Sequence, residues 1–232
     1  MVNWSEYSKT YDLLLEFNPA YQEIVEDFDS FLSTISPPKT ALDIGSGTGN
    51  YSLALLKRYP DCSLDMVEPD ESMASLAIDK TSLFPNVRMT KLPIKDFQWG
   101  HYDLIIGVHS LYVIADYKSV LKNISNSIRE SSGCAYLCNI GRPIDVSDWR
   151  KFIVKSIYKN HGLAKTLSVL WKGRIIAKEN VNIRKSQLSG KYWTHSSDQY
   201  QKAIEECSLS IADIRVLYRG YSDRVVAKTN AA

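Results

Sequence analysis

Between Thr40 and Ile140 short apolar runs alternate with longer amphipathic stretches, and few folds accommodate that alternation. The apolar runs fall at 40–44, 63–67, 87–90, 102–108 and 134–140. The last is nearly continuous in apolar character, as expected of a strand covered on both faces of a parallel sheet. Between the runs, apolar residues recur at helical spacing over 50–59, 70–80 and 117–129. Asp70 or Glu71 sits where a negative charge suits a helix N-terminus. Ser132-Gly133 is expected to close the 117–129 segment. Strands and helices alternating this way predict βαβ units and an open α/β sheet.

The flanks read differently. Residues 3–33 are expected to form two helices, divided at Asn18-Pro19, with Pro19 suited to a first helical position. Pro37-Pro38 marks a turn. From 142 to 193 no strand is evident. Trp149, Phe152, Ile153 and Ile157 predict one helix there, and Leu163, Leu167, Leu170, Trp171 and Ile175 a second. A helix over 197–207, capped by Ser196 or Ser197, and two strands at 211–218 and 224–228 around Gly220 then resume the α/β pattern. With 232 residues, the expectation is one domain, 1–232. It carries a helical cap, 1–35, and a helical insertion, 142–193, between the fifth and sixth strands.

Composition sets limits on function. The net charge is +2, which argues against a globally basic nucleic-acid coat. Four cysteines without a C-x-x-C pair support neither a disulfide framework nor a zinc site, and Cys134 and Cys138 read as buried thiols. Residues Met1–Glu6 lack the basic and apolar regions of a signal peptide, and no apolar run reaches membrane-spanning length. A reducing cytoplasm is therefore the expected compartment.

The sharpest motif is Asp43-Ile44-Gly45-Ser46-Gly47-Thr48-Gly49, which follows the first strand and opens a helix. Glycines there permit a tight turn and close approach of backbone to a ligand. The spacing G-x-G-x-G differs from the dinucleotide fingerprint G-x-G-x-x-G, and this disfavours a nucleotide-dependent oxidoreductase. Asp43 at the strand end would repel a phosphate but suits a ligand bearing an ammonium group. Glu68 ends the next strand, 19 residues after Gly49, where an acid accepts hydrogen bonds from ribose hydroxyls. Together these features suggest a nucleoside carrying an amino acid.

These residues, with Glu68-Pro69-Asp70, resemble motif I and the acidic loop of class I S-adenosylmethionine-dependent methyltransferases, over about residues 38–140 and again over 194–229. The resemblance implies a Rossmann-like, seven-stranded sheet with helices on both faces, and S-adenosyl-L-methionine as cofactor. By position it implies that Gly45, Ser46, Gly47 and Gly49 lie along the methionine moiety and that Asp43 orients that end. Glu68 would take the ribose, while Pro69 and Met73 pack against adenine. Leu92 and Val108 complete the implied cofactor set. The acid many members carry after the third strand is missing here, and backbone near Leu92, Pro93 and Ile94 stands in its place. Trp4, Tyr7 and Tyr11 resemble the aromatic lead-in of small-molecule members, in which a Tyr at the place of Tyr11 touches the cofactor carboxylate. Equally, these aromatics and Met73 suit simple core packing.

Methyl transfer needs a nucleophile held in line and, for a hydroxyl acceptor, a general base. His109 follows the fourth strand, where α/β sheets bind ligands, and is the first candidate base or substrate contact. Tyr112 and His195 are further candidates. Each could instead be structural, and a base-free proximity enzyme is a further option. No Asp/Asn-Pro-Pro-aromatic motif of DNA amino-methylation, no Pro-Cys of cytosine C5 methylation and no carboxylate cluster for a metal is present. The resulting expectation is N- or O-methylation of a small organic molecule, in the manner of a tailoring enzyme. The alternatives are a cofactor-binding interaction protein without turnover, or methylation of a membrane-associated or RNA substrate.

The insertion colours that choice. It holds twelve Lys and Arg against Asp145, Asp148 and Glu179, a net +9, so the rest of the chain carries −7. In this family such an insertion usually forms a lid. Its basic face could be merely solvated, could attract an acidic small substrate, or could touch anionic membrane or RNA.

Overall fold

The computed structural model describes residues 2–130 and 133–229, so Met1 and Ser132 lie outside the described residues. The predicted runs become strands β1 (Thr40–Ile44), β2 (Ser63–Val67), β3 (Val87–Thr90), β4 (Leu104–Val108) and β5 (Cys134–Ile140). They are followed by β6 (Leu209–Leu217) and β7 (Ser222–Thr229). All seven form one sheet in the order β3-β2-β1-β4-β5-β7-β6. The first five are parallel, and β7 runs antiparallel between β5 and β6.

The period-two alternation of strand side chains divides the core between two faces. Ala41, Leu104, Ile106 and Tyr136 point to one side, where they meet Ile24 and Phe28 of α3 (Pro19–Leu32) and Leu55 of α4 (Asn50–Arg58). Leu42, Ile44, Ile105 and Leu137 point to the other. They meet Leu121 and Ile124 of α6 (Tyr117–Ser127) and Ile204 of α9 (Ser197–Glu205). Helix α5 (Glu71–Thr81) follows β2 and is capped by Asp70, whose carboxylate accepts from the Met73 N–H at 3.0 Å. The strand expected from residue 102 begins at Leu104. Tyr102 makes a single bridge to Ile128, and its hydroxyl donates to Asp65.

The N-terminal region forms three helices where two were expected: α1 (Trp4–Tyr11), α2 (Leu13–Phe17) and α3. The extra break falls at Asp12, whose side chain is engaged elsewhere. Residues 142–193 form α7 (Val146–Lys172), interrupted at Gly162 (φ 77°, ψ 179°), and α8 (Arg174–Leu188). These helices pack on the N-terminal ones. Phe17 of α2 meets Ile157 and Val169, the Asn3 N–H donates to Glu179 at 3.0 Å, and the Tyr7 hydroxyl donates to Asn180 at 3.1 Å.

A buried ionic cluster ties α3 to the closing strands. Arg224, 2% exposed, donates to both Asp27 oxygens and to Asp213, and Tyr136 donates to Asp27 at 2.8 Å.

Candidate functional site

A cavity of about 690 Å³ opens at the carboxyl ends of β1, β2 and β4, within the usual range for small-ligand sites. Its floor is the glycine turn. Gly45 and Gly47 have φ of 65° and 55°. The Gly45 and Ser46 N–H groups donate to Val67 O, which pins the turn to β2. A Cβ on Gly45 would lie 2.6 Å from Ser110 Cβ, so glycine there permits close packing. A Cβ on Gly47 would meet nothing within 4 Å and would project into open space.

Glu68 closes the β2 side. One oxygen accepts from the Gly47 N–H and the other from the Asp70 N–H, both at 2.9 Å, and each oxygen keeps capacity for a further donor. Burial pushes its carboxyl up, opposed by those two hydrogen bonds. Asp43 is 2% exposed and accepts from Ser52 at 2.6 Å. Burial pushes its carboxyl up to about 7, against the opposing Ser52 bond.

Three hydroxyls on the wall, Ser46 Oγ, Tyr51 Oη and Ser110 Oγ, are buried and have no protein partner. Such groups are costly unless something bonds them. Beyond them the cavity is lined by Trp4, Tyr11, Tyr21, Tyr51 and Tyr192. Burial raises the Tyr11 and Tyr51 phenols well above their ordinary value, so both are neutral donors at physiological pH.

His109 lines the cavity in the left-handed region (φ 51°), a conformation that non-glycine residues adopt mostly where surroundings enforce it. Its N–H donates to Cys138 O at 2.7 Å, and its Nε2 lies 2.8 Å from Ser222 Oγ. Burial lowers the imidazole to about 3, so the ring is neutral near pH 7.

The N-terminal helices are fastened over this site by one cation. Lys80 Nζ of α5 donates to Asp12 (2.8 Å), Thr48 of the glycine turn (3.0 Å) and Asn50 (2.6 Å). This clasp explains the break at Asp12.

Of the residues expected along the cofactor, Tyr11, Asp43, Gly45, Ser46, Gly47, Glu68, Pro69, Met73 and Val108 line the cavity. Gly49 and Leu92 do not. The Gly49 Cα abuts Ala77, where an added Cβ would sit at 3.0 Å, so this glycine serves α4–α5 packing. Leu92 points outward, 49% exposed, and Pro93, Ile94 and Lys95 take its place.

Among the three catalytic candidates only His109 reaches the cavity. Tyr112 is buried against Tyr192. His195 belongs to a structural knot: its Nε2 meets Asn139 at 2.9 Å, its ring stacks on Tyr200, and Nδ1 faces Ser196 O and Asp223. The Asp223 carboxylate also accepts from Arg142 and Ser197. Tyr7 is likewise outside the lining. Sequence reasoning passed over Tyr21, Tyr51, Ser110 and Tyr192. Only Ser110, next to His109, carried a local signal. Of residues 142–193 only Tyr192 lines the cavity, so none of the twelve basic side chains does.

Comparison with known proteins agrees with this geometry. Residues 42–133 match the family model of a methyltransferase domain. The chain is 24% identical over 123 residues to malonyl-[acyl-carrier protein] O-methyltransferase 1 of Ilyobacter polytropus, covering 53% of this chain and 45% of that protein. It spans less than half the length of the curated relatives it matches. In fold it resembles magnesium protoporphyrin IX methyltransferase of Synechocystis, solved with bound S-adenosylhomocysteine (TM-score 0.61, 13% identity, 94% of this chain and 87% of that one). It also resembles a chain from the complex of the Haloferax volcanii Trm112 methyltransferase activator with its methyltransferase (TM-score 0.67, 12% identity, 99% and 98%). Residues 42–133 thus resemble a methyltransferase domain, and the chain has the fold of solved S-adenosylmethionine-dependent methyltransferases, one of which holds S-adenosylhomocysteine.

Proposed function

We propose that this protein methylates the nitrogen of a small, uncharged amine. The observation that carries the reading is the cavity's lining: an aromatic wall, a neutral histidine and, among the described residues, no cation except Lys95.

The residues present fit the cofactor. The open space over Gly47 and the unpartnered Ser46 and Tyr51 hydroxyls mark where a polar ligand would rest. Glu68 would receive the ribose hydroxyls on its free lone pairs, and Asp43, as carboxylate, would face the amino group. Pro69, Met73 and Ile94 would flank the adenine. When bound, the cofactor supplies an electrophilic methyl on a sulfonium, which is a good leaving group.

The chain's own residues then have three tasks. Trp4, Tyr11 and the helices carrying them exclude water. His109, neutral and fixed by Ser222, orients the acceptor's N–H. The aromatic faces favour the ammonium that forms as nitrogen gains a fourth bond. A hydroxyl acceptor would need a base titrating near neutrality. His109, lowered to about 3, is too weak for that, whereas an amine arrives neutral and loses its proton to solvent afterwards. Among the described residues no arginine lines the cavity to meet an anionic acceptor.

The test is turnover of matched anilines, which are uncharged at neutral pH, and of the corresponding alcohols and carboxylates with methyl-labelled donor, read by mass spectrometry. N-methyl products are expected, and His109→Asn should lower kcat/KM about tenfold without moving the pH profile. Alcohol turnover governed by a group near pH 7 would overturn the amine reading. Cofactor binding without any transfer would favour an interaction protein.

A further inference from the structure

We propose that the outer face of α7 and the start of α8 docks on an anionic lipid surface. This goes beyond the methyl-transfer reading and does not rest on it.

From Arg150 to Lys178 the chain carries eight Lys and Arg and no Asp or Glu. All eight side chains are exposed. Among the described residues only Lys165 and Lys178 have a carboxylate within 4 Å, from Glu16 and Glu179. None of the eight lines the cavity, so their field acts on something outside it.

Within this cationic stretch lies an apolar ridge. Leu163, Leu167 and Trp171 recur at one helical turn and are 61%, 59% and 67% exposed. The opposite side of the same helix is already used, with Thr166 and Val169 buried, the latter on Phe17. The ridge therefore adds nothing to the fold, and its exposure costs solvation free energy. The Arg174 guanidinium sits 4.4 Å over the Trp171 ring, a pairing that keeps a charge at the edge of an apolar patch.

Charge chooses among possible occupants. A helix face with Leu and Trp on its crest and Lys and Arg beside it matches acyl chains and anionic headgroups together. A second copy would bring eight more cations against these eight. RNA phosphates would satisfy the lysines but leave Leu163 and Leu167 in water.

The experiment is co-sedimentation of the full chain with large unilamellar vesicles of phosphatidylcholine, with and without phosphatidylglycerol. Binding is expected only with phosphatidylglycerol, accompanied by a blue shift of tryptophan emission that Trp171→Phe removes. Each of Lys155→Gln, Lys159→Gln and Lys172→Gln should weaken binding roughly fivefold. The triple variant Leu163→Ser, Leu167→Ser, Trp171→Ser should lose about tenfold or more while keeping its affinity for S-adenosylhomocysteine, which certifies its fold. Three results would overturn the proposal: no partition onto anionic vesicles; wild-type binding by the triple variant together with competition by single-stranded RNA; or a concentration-dependent dimer that the triple variant abolishes.

Discussion

Two glycines with nearly the same strain separate ligand binding from folding. Gly47 and Gly220 both have positive φ, 55° and 85°, and at both an added Cβ would meet nothing within 4 Å. Alanine at either position should therefore cost only the left-handed backbone, roughly 1–2 kcal/mol. For a chain of this size that lowers Tm by roughly 2–8 °C. The difference lies in what occupies the open space. Above Gly220 there is solvent. Above Gly47 is the proposed cofactor, and a methyl group forced into a packed interface costs about 1–3 kcal/mol more. Gly47→Ala should then lose roughly five- to 150-fold in affinity for S-adenosylhomocysteine, with Gly220→Ala unchanged. Isothermal titration and thermal unfolding of the two variants side by side make the measurement. Equal affinities with equal losses of Tm would mean that the space over Gly47 is not the ligand's, and the placement of the cofactor would fall with it.

Three further outcomes follow from the same geometry. Glu68→Ala should weaken cofactor binding by roughly 100-fold or more, since two hydrogen bonds to a charged group contribute about 1.5–3 kcal/mol each; Glu68→Gln should not rescue it in titration calorimetry, because its NH2 would face either the Gly47 or the Asp70 N–H. Asp43 is raised from 3.8 to about 7. The stability it lends the ligand-free fold is therefore full below pH 3.8 and is lost as pH rises through 7, while affinity for an ammonium-bearing ligand should rise about tenfold per pH unit up to pH 7, a slope that Asp43→Asn should flatten. Asp27→Ala should cost about 3 kcal/mol in urea unfolding, because Arg224 stays buried with Asp213 as its remaining carboxylate partner.

What could be read from sequence was local. The strand–turn–helix of Leu42 to Tyr51 announces itself because the glycine spacing, the strand and the helix are contiguous. Glu68 is legible for the same reason, being one βα unit away. The clasp was not, since Asp12 and Lys80 are brought together only by the packing of α5 against α1. Nor was the role of Tyr192, which returns to the cavity from the end of a long helical excursion. His195 looked eligible because it precedes a helix at the ligand-binding edge, but a stacked Tyr200 and a bond to Asn139 fix it on the far side of that edge. The insertion's charge is legible in the sequence and its direction is not: periodicity gives a helix two faces without saying which one meets the cavity.

The placement of β7 sets a timetable for the molecule's birth. Strands β5 and β6 never touch; the strand synthesised after both slips between them. From the moment Ile140 emerges until Ser222 does, β5 presents a bare apolar edge, an interval of roughly 4–16 s at ordinary rates of synthesis. During that interval Asp27 also waits for Arg224. A ribosome that stalls in this stretch releases an open sheet with an unpaired edge, the form most exposed to aggregation. The first half of the chain holds the glycine turn, but its durability is decided by β7, made after the other six strands of the sheet.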